Sequence, residues 1–137
     1  MNFWFGLLAF VVIFIGYAYF NFRRMKRFSQ VPESKEIRHL NEKDFKQATA
    51  KGLVLVDFWA GWCMPCKMMT PVLNELSEAL KNQALVTKVD VEKQQALATK
   101  FGIRSIPTLI LFKDGKEVNR FQGVKTKNFL LKKIKEA

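Results

Sequence analysis

The stretch "WAGWCMPCKM", Trp59 to Met68, holds both cysteines of this 137-residue chain, with two residues between them. The stretch overlaps the end of "LVLVDFWA" (53–60), a nearly continuous apolar run that predicts a strand buried on both faces. A helix is predicted from Cys63 to about Lys81, because leucines recur there at helical spacing. The cysteine pair therefore follows a buried strand and a short turn and opens a helix.

A Cys-x-x-Cys pair can bind a metal, form a structural bridge or act in redox chemistry. A structural zinc site commonly has four Cys or His ligands, but the chain has two cysteines and one histidine, His39. We therefore expect no metal, and we interpret His39 as a surface or strand residue without chemistry. A bridge that encloses two residues restricts the unfolded chain very little. The redox interpretation is favoured.

The positions of the two cysteines at the predicted start of the helix give them different roles. Cys63 should lie at the exposed helix end, where unpaired N–H groups and the helix dipole favour an anion. Pro65 is tolerated in the first turn, where its missing N–H is not needed. Cys66 lies one turn further on, shielded and close enough to attack a mixed disulfide formed at Cys63. We expect Cys63 to attack and Cys66 to resolve.

The rest of the chain alternates strands and helices and then forms a hairpin. We predict a short strand at 36–40, a helix at 41–52 with Asn41 as N-cap, a strand at 85–91, a helix at 92–102, a hairpin at 108–123 with an Asp-Gly turn, and an amphipathic helix at 125–137 with Phe129, Leu130 and Ile134 facing inward. This order predicts an α/β domain with a mixed central sheet and helices on both faces.

From about Ile37 to Ala137 the sequence resembles the thioredoxin family. The matching pieces are "VDFWAGWCMPCKMMTP" (56–71), "KVDVE" (88–92) and "FGIRSIPTLILFKDGKEVNRFQG" (101–123), in the family's order and spacing. The resemblance implies the thioredoxin fold and a protein-disulfide reductase that acts by dithiol–disulfide exchange, with a Cys63–Cys66 disulfide when oxidised. It implies no bound cofactor, disulfide-containing protein substrates, and an external electron donor such as a thioredoxin reductase.

Asp57 interrupts the apolar strand, and a buried charge is costly without a task or a partner. The resemblance makes Asp57 the proton acceptor that helps to deprotonate Cys66, with Lys88 as a nearby charge. Burial should then raise the pKa of Asp57. The alternative is a solvated aspartate at a strand end.

The resemblance also implies a surface that binds substrate. It makes Pro107, after Ile106, a cis-proline that faces the cysteines across a cleft. The expected substrate-binding residues are Trp62, Met64, Pro65, Ile106, Pro107 and Gly123. Met64 departs from the family, in which most members have glycine at this place. The dipeptide between the cysteines tunes the redox potential, so with a flexible apolar side chain beside the nucleophile the resemblance predicts the fold but not the potential.

Residues 1–22, "MNFWFGLLAFVVIFIGYAYFNF", contain no charged side chain and predict one transmembrane anchor. As a helix, 3–22 would be about 30 Å long, the thickness of a bilayer core. A cleaved signal peptide is the alternative. It is disfavoured because no basic residue precedes the run, the run is long, and no small-x-small cleavage site follows. We predict an anchor at 1–22, a basic juxtamembrane linker at 23–35 and a thioredoxin domain at 36–137.

The net charge of +11, from 23 basic and 12 acidic residues, does not indicate nucleic-acid binding. Four cations lie together in "RRMKR" (23–27), and the others are scattered without a basic stripe and exposed aromatics. By the positive-inside rule this cluster predicts a single-pass protein, bound to the membrane through 3–22, with a cytoplasmic domain. An extracytoplasmic location stays open.

Two other functions remain as alternatives. One is an extracytoplasmic thiol–disulfide oxidoreductase that serves disulfide isomerisation or cytochrome maturation. The other is a redox-inert scaffold with a thioredoxin fold, which the intact set of Cys63, Cys66, Asp57 and Pro107 disfavours. We expect the protein to be a monomer.

Overall fold

The computed structural model describes residues 2–28 and 30–137. The chain divides into two compact units, Met1–Val31 and Pro32–Ala137.

The first unit contains one helix, α1 (Asn2–Phe28). Its segment Phe3–Arg27 has a mean hydropathy of 2.1 and is long and apolar enough to cross a membrane, a test that a signal sequence also passes. The helix continues beyond the predicted end at Phe22, because "RRMKR" contains neither glycine nor proline to break it. The basic residues therefore lie on the last turns of α1.

The second unit is built on a five-stranded sheet with the strand order β1-β3-β2-β4-β5. The strands are β1 (Arg38–His39), β2 (Leu53–Trp59), β3 (Ala84–Asp90), β4 (Thr108–Lys113) and β5 (Lys116–Gln122). β3 runs parallel to β1 and β2, whereas β4 runs antiparallel to β2 and β5. The sheet is mixed, as predicted, and β2 is its central strand.

Helices cover both faces of this sheet. They are α2 (Glu42–Thr49), α3 (Met64–Ala79), α4 (Gln95–Lys100) and α5 (Lys127–Glu136). Successive side chains of β2 point to opposite faces. Leu55 packs in the cluster that holds Leu73 of α3 and Leu130 of α5. Val54 packs in a second cluster with Phe45 of α2. The alternation along β2 thus joins two apolar layers into one domain.

Local signals explain where several elements begin and end. Asn41 caps α2, and its side chain accepts from the N–H groups of Lys43 and Asp44, while Asp44 accepts from the Asn41 N–H in return. The β4–β5 hairpin turns at Asp114 and Gly115, whose φ angles are 50° and 84°. Two positive φ angles are what a tight hairpin turn requires, which is why Asp-Gly predicted it.

The structure differs from the sequence prediction in α5. Leu130 and Ile134 are buried as predicted, but Phe129 is 38% exposed, so its inward placement was wrong. Leu131, and not Phe129, packs beside Leu130 against the core, so the buried side of α5 is turned away from Phe129. The Phe129 ring instead packs edge-on against Phe121, with ring centres 5.3 Å apart.

The domain also begins earlier than the predicted boundary at residue 36. The backbone N–H of Ser34 donates to Asn74 Oδ1 at 2.8 Å, and Asn74 Nδ2 donates to the Pro32 carbonyl at 2.9 Å. These bonds attach Pro32 and Ser34 to α3. The segment predicted as a linker at 23–35 is therefore divided between α1 and the compact domain.

Candidate active site

The two cysteines are joined where β2 passes into α3. Cys63 is the N-cap residue of α3, and its Sγ accepts a hydrogen bond from the backbone N–H of Cys66 at 3.2 Å. The Cys63–Cys66 disulfide joins Cα atoms 5.3 Å apart. Pro65 occupies the first turn. A thiolate at Cys63 would keep the same N–H donor and the positive end of the helix dipole.

Both cysteines are buried in this oxidised structure, with 3% of Cys63 and 1% of Cys66 exposed. The expectation of an exposed Cys63 was therefore wrong for the whole residue. Trp59, Val91 and Ile106 pack against the pair. The Ile106 carbonyl oxygen lies 3.9 Å from Cys63 Sγ. The two sulfurs are therefore enclosed by these three side chains and by the Ile106 backbone.

The segment that packs against the disulfide through Ile106 carries two of the predicted substrate-binding residues, Ile106 and Pro107. The Ile106–Pro107 peptide bond is cis. The Gly123 N–H donates to the Pro107 carbonyl at 2.8 Å. Gly123 has a φ of +79°, a backbone conformation that glycine adopts without strain. Ile106 thus lies beside Cys63, and Gly123 is joined to the next residue, Pro107.

Exposed apolar side chains surround the start of α3. Trp62 is 69%, Met64 37% and Met68 43% exposed. The Trp62 indole N–H donates to Glu92 Oε1, which restrains the ring. The predicted Trp62, Met64 and Pro65 therefore share one end of the domain with the cysteines, and Met68 joins them.

Asp57 is wholly buried in the middle of β2. Neither carboxylate oxygen has a hydrogen-bond partner among the residues that the structure describes. Burial raises the pKa of Asp57 from 3.8 to about 7; the Lys88 cation opposes this rise, and the Glu33 charge adds to it. The solvated strand-end alternative is excluded. This carboxyl can gain or lose a proton close to neutral pH.

Asp57 belongs to a row of polar residues across three parallel strands. Lys88 on β3 pairs in register with Asp57 on one side and with His39 on the other. The Lys88 side chain is 3% exposed, and its Nζ donates to Glu33 Oε2 at 2.8 Å. His39 Nε2 contacts the other Glu33 oxygen. Lys88 Nζ also lies 4.1 Å from the centre of the Trp59 ring.

Sequence reasoning placed Lys88 near Asp57 but missed Glu33 and His39. A buried lysine requires an anionic partner. That rule was the one available signal, and it does not say which acidic residue is the partner.

The Thioredoxin family model matches residues 36–136. The chain belongs to the thioredoxin family. It is 48% identical over 100 residues to the thioredoxin of Chlamydia caviae, which covers 73% of this chain and 97% of that relative. It is 45% identical over 89 residues to the thioredoxin of Bacillus subtilis, covering 65% of this chain and 86% of the relative. A solved mutant thioredoxin from Halobacterium salinarum superposes with a TM-score of 0.69 at 35% identity, covering 77% of this chain and 94% of that one.

This thioredoxin has the predicted fold and is a thioredoxin-type thiol–disulfide oxidoreductase. Thioredoxins act on disulfide substrates, receive electrons from a reductase and need no bound cofactor. Within the described parts of the chain, no group of three or more His, Cys, Asp and Glu side chains could hold a metal ion. The matched region leaves out α1 and the segment that contains Glu33.

Proposed function

We propose that this thioredoxin reduces protein disulfides, with Cys63 as nucleophile, Cys66 as resolving thiol and Asp57 as proton acceptor. The observation that carries the proposal is the N-cap position of Cys63, whose sulfur accepts the Cys66 N–H. That contact favours a thiolate at Cys63 and not at Cys66.

The exchange balances as two displacements at sulfur. The Cys63 thiolate attacks a substrate disulfide, a bond forms between Cys63 and one substrate sulfur, and the other substrate sulfur leaves as a thiolate. Asp57 then takes the proton of the Cys66 thiol. The Cys66 thiolate attacks Cys63 Sγ, and the second substrate sulfur leaves. Two electrons pass from the protein dithiol to the substrate, and the Cys63–Cys66 disulfide remains.

Re-reduction requires a dithiol donor from outside the chain, and a reductase of the thioredoxin reductase class fits this need. Lys88 affects the exchange through Asp57. It pairs in register with Asp57 on the neighbouring strand, and the Lys88 charge favours the ionised form of the Asp57 carboxyl. The chain itself supplies no second redox pair, since its two cysteines are both in this disulfide.

The substrate groove is formed by the backbone of Ile106, Pro107 and Gly123 and by the side chains of Trp62, Met64 and Pro65. The contact of Ile106 with Cys63 supports this placement, because it brings the backbone before Pro107 next to the reacting sulfur. The apolar rim around Trp62 adds contact area for a protein partner.

We further propose that α1 anchors the protein in a membrane as a single span, with the domain on the cytoplasmic side. The length and hydropathy of Phe3–Arg27 support the anchor. The four cations after Phe22 support the orientation. An impermeant maleimide should leave reduced Cys63 unlabelled in intact cells and label it once the membrane is opened. Labelling in intact cells would instead favour the extracytoplasmic oxidoreductase.

A trapping experiment tests the assigned roles of the cysteines. The Cys66→Ser protein should form a stable mixed disulfide with an oxidised protein substrate, because attack remains and resolution is lost. Cys63→Ser should form none. Non-reducing gels report both. Adducts through Cys66 in the Cys63→Ser protein would reverse the assignment, and the absence of adducts and of turnover in the wild type would leave a redox-inert scaffold.

A further inference from the structure

An ion pair between a buried lysine and a partly exposed glutamate lies beside Asp57 and takes no part in the bond changes of the exchange. The ammonium of Lys88 is enclosed, with its side chain 3% exposed, so it needs an anion within the domain. Glu33 supplies that anion at 2.8 Å. Nε2 of His39 binds the second oxygen of the same carboxylate.

Backbone contacts fix Glu33, in addition to its ion pair. The residues on each side of it, Pro32 and Ser34, are both bonded to the Asn74 amide on α3 at 2.9 and 2.8 Å. Glu33 also lies before residue 36, where the match to the family begins. A segment outside the family's shared domain therefore inserts a carboxylate next to the active-site lysine.

Glu33 and Lys88 act on Asp57 with opposite signs. The Lys88 cation favours the ionised form of Asp57, whereas the Glu33 anion disfavours it. Partial burial alone would raise the pKa of Glu33, but hydrogen bonds from Lys88 and His39, together with their charges, hold that pKa below its ordinary value. Glu33 is consequently charged at neutral pH and offsets part of the Lys88 charge.

We propose that Glu33 is a positioning residue for the resolving step: it binds the Lys88 ammonium and offsets its charge, so that Asp57 stays basic enough to accept the proton of Cys66. The inference rests on the proposed role of Asp57 as proton acceptor. Without Glu33, no anion would oppose the effect of the Lys88 charge on Asp57. Asp57 would then ionise at lower pH and be a weaker base.

The test separates attack from resolution in the full-length, reduced protein in nonionic detergent micelles. A substoichiometric symmetric nitrobenzoate disulfide releases one coloured thiolate when Cys63 attacks and the second when Cys66 resolves the adduct. Stopped-flow absorbance therefore gives two phases. The midpoint of the second phase against pH reports the ionisation of the proton acceptor.

In Glu33→Gln we expect the midpoint of the second phase to fall by about 0.5–1 pH unit. This is the size of pKa change that follows when one charge, a few ångströms beyond Lys88, is removed from a partly screened site. The first phase, which does not need Asp57, should shift less. Glu36→Gln is the matched control, because Glu36 is three residues further along, 50% exposed and paired with Lys81 at 3.6 Å. It should leave both midpoints unchanged.

Two further variants test the route of the effect. Glu33→Asp keeps the charge but shortens the side chain, so it should give a smaller shift of the same sign, and it serves alone if Glu33→Gln does not fold. Lys88→Met removes the cation and should move the midpoint to higher pH. In that background Glu33→Gln should still lower the midpoint, because the Glu33 charge also acts directly on Asp57, but by less than in the wild type, because there is no Lys88 ammonium left for Glu33 to hold in place.

An unchanged or higher second-phase midpoint in Glu33→Gln, relative to Glu36→Gln, would overturn the inference. A full-sized shift in the Lys88→Met background would overturn the route through Lys88. Failure of the proposed function looks different: Asp57→Asn would then leave the rate and pH profile of the second phase as in the wild type.

Discussion

Replacing Asp57 by asparagine should stabilise the folded domain at neutral pH and above, while it slows the resolving step. The stabilisation arises because Asp57 is wholly buried and its oxygens lack partners among the described residues. Ionising such a group in the folded protein is unfavourable. Asparagine has nearly the same shape and is never ionised.

The magnitude follows from the raised pKa of this carboxyl. Burial raises the pKa of Asp57 from 3.8 to about 7 in the folded state, and we take 3.8 for the unfolded chain. Between these values the folded state holds a proton that the unfolded state has lost, so stability falls as pH rises through this window. At ~1.36 kcal/mol per unit, the loss is complete above pH 7 and amounts to about 4 kcal/mol. Asp57→Asn should remove this loss.

The measurement is urea unfolding of the oxidised protein without α1, at pH 4 and at pH 8. At pH 4 the Asp57→Asn variant and the wild type should have nearly equal free energies of unfolding. At pH 8 the free energy of unfolding of the variant should exceed that of the wild type by about 4 kcal/mol. Glu78→Gln is the control: its side chain is 61% exposed, and its gain should stay within about 0.5 kcal/mol. An equal gain at both pH values for Asp57→Asn would refute the raised pKa.

Three other predictions address the rim, the anchor and the first domain helix. Met64→Gly should change the pKa of Cys63 only modestly, because the helix start remains, while its equilibrium with glutathione should move by up to about tenfold, or about 30 mV; complete loss of activity would show an unrecognised role. Removing Met1 to Arg27 should give a soluble, folded, active reductase, since the compact unit begins at Pro32; an insoluble or inactive product would contradict the division. Asn41→Ala should cost about 1 kcal/mol in urea unfolding, and an unchanged midpoint would show that the cap does not contribute.

Local patterns predicted most of the domain because each has a direct physical cause. The apolar run of β2, the Asp-Gly hairpin turn and the Asn41 cap act over a few residues, and each appears in the structure where expected. The place of Cys63 at the helix start followed from the same reasoning.

Contacts between distant residues were beyond such reasoning. Glu33 and Lys88 are 55 positions apart, and hydrophobic periodicity carries no information about ion pairs. The burial of Cys63 depends on Ile106, which is brought to it by the sheet. The wrong prediction for Phe129 shows the limit of an amphipathic pattern. The pattern predicts which side of a helix is buried, but not whether each residue at the edge of that side is buried or exposed.

Because the thioethers of Met64 and Met68 are exposed, this reductase can also be oxidised at methionine. Peroxide converts methionine to its sulfoxide, which is polar and chiral. Oxidation of the cysteine pair is reversed by the electron donor in each cycle, but a sulfoxide on the rim would persist until a methionine sulfoxide reductase removed it. A protein oxidised in this way would still have an intact dithiol but would bind apolar substrate surfaces more weakly. Peroxide stress would then lower the range of substrates before it lowered the number of active dithiols.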